Sequence, residues 1–191
     1  MKLDPNFDPL AKDVLCWQRG QFGGTCRPIN REVLFKNLCE IHEVLNKHGI
    51  VHWLSHGTVL GVYRENNFIE WDDDADFSYY FDQRNKPEMF LALEELRQKG
   101  FYIPPSDPNK PVDKDNSCYY DLVFIKDGEK CEGWGFEKFG NEYIYDLKRS
   151  GRALAHPSHF YDTLDTIDFK GVQFNTPHNL HDYLVMMYGQ H

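Results

Sequence analysis

The stretch from His56 to Phe81, HGTVLGVYRENNFIEWDDDADFSYYF, packs five acidic side chains into the seven positions Glu70 to Asp76 and then runs straight into alternating aromatics. Carboxylates crowded this closely repel one another. Either the run is a solvated acidic turn, or a cation offsets the repulsion. A bare Asp-x-Asp more often belongs to the first; strand alternation shows what the second would need, and the flanking residues bear on the choice. If residues 74–81 form a strand, Asp74, Asp76, Ser78 and Tyr80 share one face, and Ala75, Phe77, Tyr79 and Phe81 share an apolar face directed at a core. Asp74 and Asp76 then stand side by side, with Cα atoms about 6.5–7 Å apart. Two carboxylates so aimed can close on one divalent ion or on a pair, and ions about 3.5–4 Å apart are a common clamp for phosphoryl or nucleotidyl transfer. Oxygen-only ligands select Mg²⁺ or Mn²⁺ over zinc. A calcium loop of the EF-hand type fails, because Phe77 stands where the turn glycine belongs and Gln83 where the bidentate glutamate belongs.

The rest of the chain fits a folded domain around that strand. Its 191 residues suffice for one hydrophobic core, and 41 % hydrophobic and 15 % aromatic content excludes a disordered chain. A formal charge of −9 argues against a general nucleic-acid binder or an anionic membrane surface. No apolar run is long enough for a membrane span, and the N-terminus lacks the apolar segment of a signal peptide. Cys16, Cys26, Cys39, Cys118 and Cys131 are odd in number and contain no CxxC, which points to a reducing compartment, and the expected location is the cytoplasm.

The periodicities predict an α/β (α+β) domain over residues 31–191 behind an irregular extension over 1–30. A helix is expected over Arg31–His48, capped by Asn30 and stopped by Gly49, and a second over Pro87–Lys99 with Met89, Phe90, Leu93 and Leu96 as its buried stripe. Strands are expected at Ile50–Leu54, Ala75–Phe81, Cys118–Ile125, Lys130–Trp134 and Glu142–Lys148. The stretch from Ile103 to Ser117 reads as a loop. Hairpins are expected at Asp127-Gly128 and Lys170-Gly171, and a last helix near Asn179–Tyr188. Ser55–Thr58 reads as a turn ending a strand, in which Gly57 lets backbone N–H groups approach a phosphate and Arg64 adds a forked donor. Trp71 is expected in the core. Lys148, Arg149 and Arg152 form a basic cluster that fits either a phosphate or a solvated face. The pairs His156/His159 and His178/His181 read as ordinary histidines rather than zinc ligands.

The segment Trp53-Leu54-Ser55-His56-Gly57-Thr58-Val59-Leu60-Gly61-Val62-Tyr63-Arg64, followed by Phe68-Ile69-Glu70-Trp71-Asp72-Asp73-Asp74-Ala75-Asp76, resembles the LicD/fukutin family signature, roughly W-L-x-x-G-T-L-L-G-x-x-R and then G-x-I-P-W-D-D-D-x-D. His56, Asn67 and Glu70 depart from that pattern, and none of them is a proposed ligand. The closing DFKGVQFNTPHNLHDYLVMMYG (Asp168–Gly189) also resembles the end of the family's domain. The resemblance implies a nucleotidyltransferase-like mixed sheet flanked by helices, of the polymerase-β type. It implies transfer of a phosphorylated alcohol, phosphocholine- or ribitol-phosphate-like, from a CDP-activated donor to a sugar hydroxyl of a glycan, with CMP released.

On that resemblance Asp74 and Asp76 hold Mg²⁺ or Mn²⁺, Gly57, Thr58 and Arg64 contact phosphate, and a third carboxylate comes from a later strand. Asp121, in Tyr119-Tyr120-Asp121-Leu122-Val123-Phe124, is favoured for it, and Asp146 competes. Three other readings remain: transfer of a nucleoside monophosphate, a glycosyltransferase using the DxD for a nucleotide sugar, and an inactive relative that binds nucleotide or glycan.

Overall fold

The structure is a computed structural model that describes residues 29–84, 86–103, 121–140, 142–147 and 152–189, with the backbone alone described for 121, 139, 142–147 and 152–154. The irregular extension expected over 1–30 lies outside these residues apart from Ile29 and Asn30. So do most of the loop expected after Ile103, and Lys148 and Arg149.

Helix α1 (Arg31–Lys47) begins where the side chain of Asn30 accepts a hydrogen bond from the Val33 N–H. It buries Leu34, Leu38, Ile41, Val44 and Leu45, and Gly49 leaves it at φ 70°, where a side chain would be strained. Strand β1 (His52–Leu54) leads into α2 (His56–Glu65), a helix where the sequence reads as a turn. Gly57 and Thr58 therefore open a helix rather than end a strand. Asn66 closes α2 in the left-handed region, which asparagine tolerates.

Strand β2 (Ala75–Tyr80) is followed by a short 3₁₀ turn and by α3 (Pro87–Gln98). Helix α3 buries Met89, Ala92 and Leu96, while Phe90 is 59 % exposed and leaves the expected stripe. Strands β3 (Asp121–Lys126) and β4 (Glu129–Phe139) form the expected hairpin, with Asp127 and Gly128 both at positive φ. Strands β5 (Glu142–Leu147) and β6 (Arg152–Pro157) follow; β6 has no counterpart in the periodicity reading. A second hairpin, β7 (Leu164–Phe169) with β8 (Val172–Pro177), turns at Lys170-Gly171, and α4 (Leu180–Tyr188) ends the described chain. No helix among the described residues is long and apolar enough to cross a membrane.

Among the described residues the main sheet has six strands in the order β1-β2-β4-β5-β6, and β3 pairs with the first half of β4 on the edge that β5 continues. The pairing of β2 with β4 is parallel, in a sheet otherwise antiparallel. One face of β2 and β4 is core: Ala75, Phe77, Tyr79 and Cys131 lie against α1 and α3 residues in one buried cluster. Gly133 faces Phe77 across the pair, and a Cβ there would lie 2.6 Å from the Phe77 ring, so the glycine makes room for that anchor.

A chain of imidazoles ties α1 to β1. His52 Nδ1 lies 2.8 Å from the Ile50 carbonyl, His52 Nε2 lies 2.8 Å from His42 Nδ1, and His42 Nε2 lies 2.9 Å from Asn46 Nδ2. One neutral proton arrangement satisfies all three: His52 Nδ1–H donates to Ile50, His42 Nδ1–H to His52, and Asn46 to His42. Burial pushes His52 down to about 4 from an ordinary 6.5. The unfolded chain thus takes up this proton first. The contribution is present above pH 6.5 and is lost as pH falls towards 4. Urea titrations of wild type and His52→Asn at pH 7.5 and 4.5 are expected to show the wild-type advantage shrinking by about 2–3 kcal/mol at the lower pH. A pH-independent difference between the two would refute the neutral arrangement.

Candidate active site

The other face of β2 and β4 carries the charge at one end. Parallel register sets Ala75 beside Cys131, Asp76 beside Glu132 and Ser78 beside Trp134. Alternation then gives one polar face with Asp74, Asp76 and Ser78 from the β2 segment and Lys130, Glu132 and Trp134 from β4. Asp74, Asp76 and Glu132 are 7 %, 8 % and 4 % exposed, deep enough that their charges require partners. One oxygen from each lies within 4.8 Å of the others. Asp74 and Asp76 are thus brought together as the alternation predicts, and Glu132 joins them.

Each member is held by something specific. The Asp76 N–H donates to Thr58 Oγ1 at 2.7 Å, and the Ser55 N–H donates to the Asp76 carbonyl at 3.3 Å, so the β1–α2 junction fixes the Asp76 peptide from both sides. The Trp134 indole N–H donates to Asp76 Oδ1 at 2.9 Å, and the His56 ring stands edge-on to Trp134 with centroids 5.7 Å apart. Lys130 forms ion pairs with Asp74 and, at 3.0 Å, with Glu132. Gly57 is open on the side of the acidic run, where a Cβ would lie 2.2 Å from Asp72 Oδ2. The missing side chain is what lets a third aspartate, Asp72, settle against the start of α2.

Burial dominates the electrostatics. It pushes Asp72 up to about 6, with Asp74 and Asp73 adding to the rise. It pushes Asp74 up to about 6 despite the attraction of Lys130. Asp76 lies well above the ordinary carboxylate range through burial and then the Asp74 charge. Burial pulls Lys130 down, but Asp74 and Glu132 together outweigh it and hold the ammonium above its ordinary value. Three carboxylates meet one ammonium on this face, an oxygen set that could hold a divalent cation.

The other predicted residues fall as follows. Thr58 is 1 % exposed and spends its hydroxyl on Asp76, so it braces the site from within. Arg64 is exposed in the last turn of α2, seven residues from Gly57, or about 10 Å of helix rise. Asp121 opens β3 opposite Trp134, which places its backbone across β4 from Ser78; Asp146 lies on β5 opposite Ala153. The side chains of both lie outside the described residues, as does that of Arg152. Trp71 is 81 % exposed beside the acidic run, not in the core. The histidine pairs are divided among separate partners: His156 with Tyr161, His178 with Asp165 at 3.1 Å, and His181 with Tyr63 at 3.0 Å.

Glu132, Lys130 and Trp134 were not singled out from the sequence. Their alternation in Lys-Cys-Glu-Gly-Trp was visible, but nothing in it names β2 as the neighbouring strand.

Residues 49–179 match the family described as LicD/FKTN/FKRP, nucleotidyltransferase domain. The chain belongs to this family. Relatives include the ribitol 5-phosphate transferase FKRP of Homo sapiens, 24 % identical over 151 residues, covering 76 % of this chain and 29 % of that protein. The human ribitol-5-phosphate transferase FKTN is 40 % identical over 53 residues, 28 % of this chain and 11 % of its own length. An uncharacterised protein of Rickettsia typhi is 26 % identical over 114 residues, 59 % of this chain and 35 % of that one. The chain thus spans about a third or less of these relatives.

Among solved structures, the lincosamide antibiotic adenylyltransferase LnuA bound to lincomycin superposes with a TM-score of 0.51 at 9 % identity, covering 81 % of this chain and 85 % of that one. A putative nucleotidyltransferase of Thermotoga maritima gives 0.51 at 13 % identity, with 84 % and 87 % covered. At such identity the likeness establishes the nucleotidyltransferase fold.

Proposed function

We propose that this LicD-family domain transfers a phosphorylated alcohol, ribitol-phosphate- or phosphocholine-like, from a CDP-activated donor to a sugar hydroxyl of a glycan, releasing CMP. The observation that carries the reading is the buried trio Asp74, Asp76 and Glu132 on the polar face of a nucleotidyltransferase sheet, beside the start of α2. An all-oxygen set suits Mg²⁺ or Mn²⁺, and Asp74, Asp76 and Glu132 would hold it. Held there, such an ion would supply charge neutralisation for the donor pyrophosphate and the departing CMP.

The chain's own groups do the rest. The first N–H groups of α2, from Gly57 onward, carry the positive end of the helix dipole, which suits a phosphate oxygen. Thr58 and Trp134 hold Asp76 in one position, which is the pre-organisation that electrostatic catalysis needs. In the transfer the acceptor oxygen forms its bond to the phosphorus that carries the alcohol, the bond from that phosphorus to CMP breaks, and the hydroxyl proton leaves to a base. Asp121 is proposed for that role from its register position. Trp71, exposed next to the acidic run, offers an aromatic face to the acceptor sugar.

Incubating the protein with Mn²⁺, a panel of CDP-alcohols including CDP-ribitol and CDP-choline, and glycan acceptors is expected to release CMP. Release of pyrophosphate from a nucleoside triphosphate would indicate nucleotidyl transfer instead. A nucleoside diphosphate released from a nucleotide sugar would indicate a glycosyltransferase, and no product of any kind would indicate a binding protein.

A further inference from the structure

We infer that Lys130 is a built-in counter-cation of the carboxylate cluster, which a divalent ion must displace in order to bind. The inference rests on the metal-dependent reading of the site given above. Register makes the arrangement: Asp76 stands beside Glu132 in the parallel pairing, and Asp74 and Lys130, two residues earlier on each segment, share that sheet face and pair with each other. The Lys130 side chain is 6 % exposed, a depth at which lysine is rare unless paired.

Its ammonium contacts Asp74 Oδ2 and Glu132 Oε1, carboxylates that an ion in this cluster would need. The ammonium and a divalent ion cannot share those oxygens, because two cations within a few ångströms in a poorly solvated place repel strongly. Asp76, meanwhile, is steadied by the Trp134 indole N–H, and the acceptor capacity that bond leaves can meet an arriving ion. Lys130 therefore has two consequences. It keeps the cluster assembled when no ion is bound, by neutralising charge that burial alone would make costly. It also sets the ion's affinity, because the ion is exchanged for an ammonium rather than added to bare carboxylates.

Calorimetric titration with Mn²⁺ alone, on the full chain, separates these possibilities. Lys130→Met removes the charge and retains most of the side chain's length. It is expected to bind Mn²⁺ at least about tenfold more tightly than wild type and to melt at a lower temperature without the ion. Equal or weaker binding by Lys130→Met, beside a wild type that does bind, overturns the displacement and leaves the metal site standing. A wild type that binds no Mn²⁺, or one matched by Asp76→Asn, overturns both. Should Lys130→Met not fold, acylation of wild-type lysines read by mass spectrometry decides the matter. Lys130 is expected to resist the reagent without Mn²⁺ and to react with it bound; resistance in both states overturns the inference.

Discussion

Asp76→Asn is expected to leave the fold intact and to lower CMP release from the preferred CDP-alcohol by about 10³-fold or more, the scale seen when a pre-organised electrostatic group is removed. The substitution preserves shape. The amide oxygen can still accept the Trp134 N–H, and the backbone N–H can still donate to Thr58. What disappears is a buried carboxyl able to ionise next to Asp74 and Glu132, held well above the ordinary carboxylate range by burial first and then by those neighbouring charges. Removing it costs the ion-free protein little and relieves like-charge crowding, so the melting temperature without Mn²⁺ should stay level or rise. The stabilisation that Mn²⁺ gives the wild type should largely vanish. Activity within about tenfold of wild type, at saturating Mn²⁺, would remove Asp76 from the proposed ligand set.

Trp53→Ala is expected to cost about 3–5 kcal/mol, the usual range for deleting a large aromatic from a packed core. That is a large part of the ~5–15 kcal/mol that holds a domain together. Trp53 is 1 % exposed, with ring centroids 4.9 Å from Tyr80, 5.5 Å from Phe136 and 5.7 Å from Tyr161. It pairs with Ser78 across β1 and β2, one step from the Leu54–Phe77 pair that leads to the Ser55–Asp76 hydrogen bond. Loosening it should therefore disturb the site as well as the core. Trp53→Phe is the informative companion. The indole N–H finds no hydrogen-bond partner among the described residues, so the smaller ring gives up packing but no hydrogen bond. Urea denaturation should place Trp53→Phe well above Trp53→Ala; equal losses would mean that the ring's packing contributes little there.

Local pattern was a good guide wherever the local chain decides the outcome. The Asn30 cap, the Gly49 stop and the two hairpins at positive-φ pairs were all legible, because a cap, a helix end and a two-residue turn each depend on residues a few positions apart. The α2 helix was missed because Gly57 and Gly61 are poor helix formers. It forms because tertiary packing uses both glycines. Gly57 admits Asp72, and a Cβ on Gly61 would lie 2.5 Å from the Asn67 carbonyl oxygen. Trp71 was misplaced for the opposite reason. Tryptophan is usually buried, but here the turn that presents Asp72 carries its neighbour outward.

The sequence by itself determined that Asp74 and Asp76 would point together and that Phe77 would anchor the strand behind them, since strand alternation needs no partner to operate. Only the tertiary structure decided what those two carboxylates meet. A parallel pairing between strands about fifty residues apart brings Glu132, Lys130 and Trp134 to the same face. Strand register across such a distance is set by the packing of the whole sheet, and no local pattern encodes it.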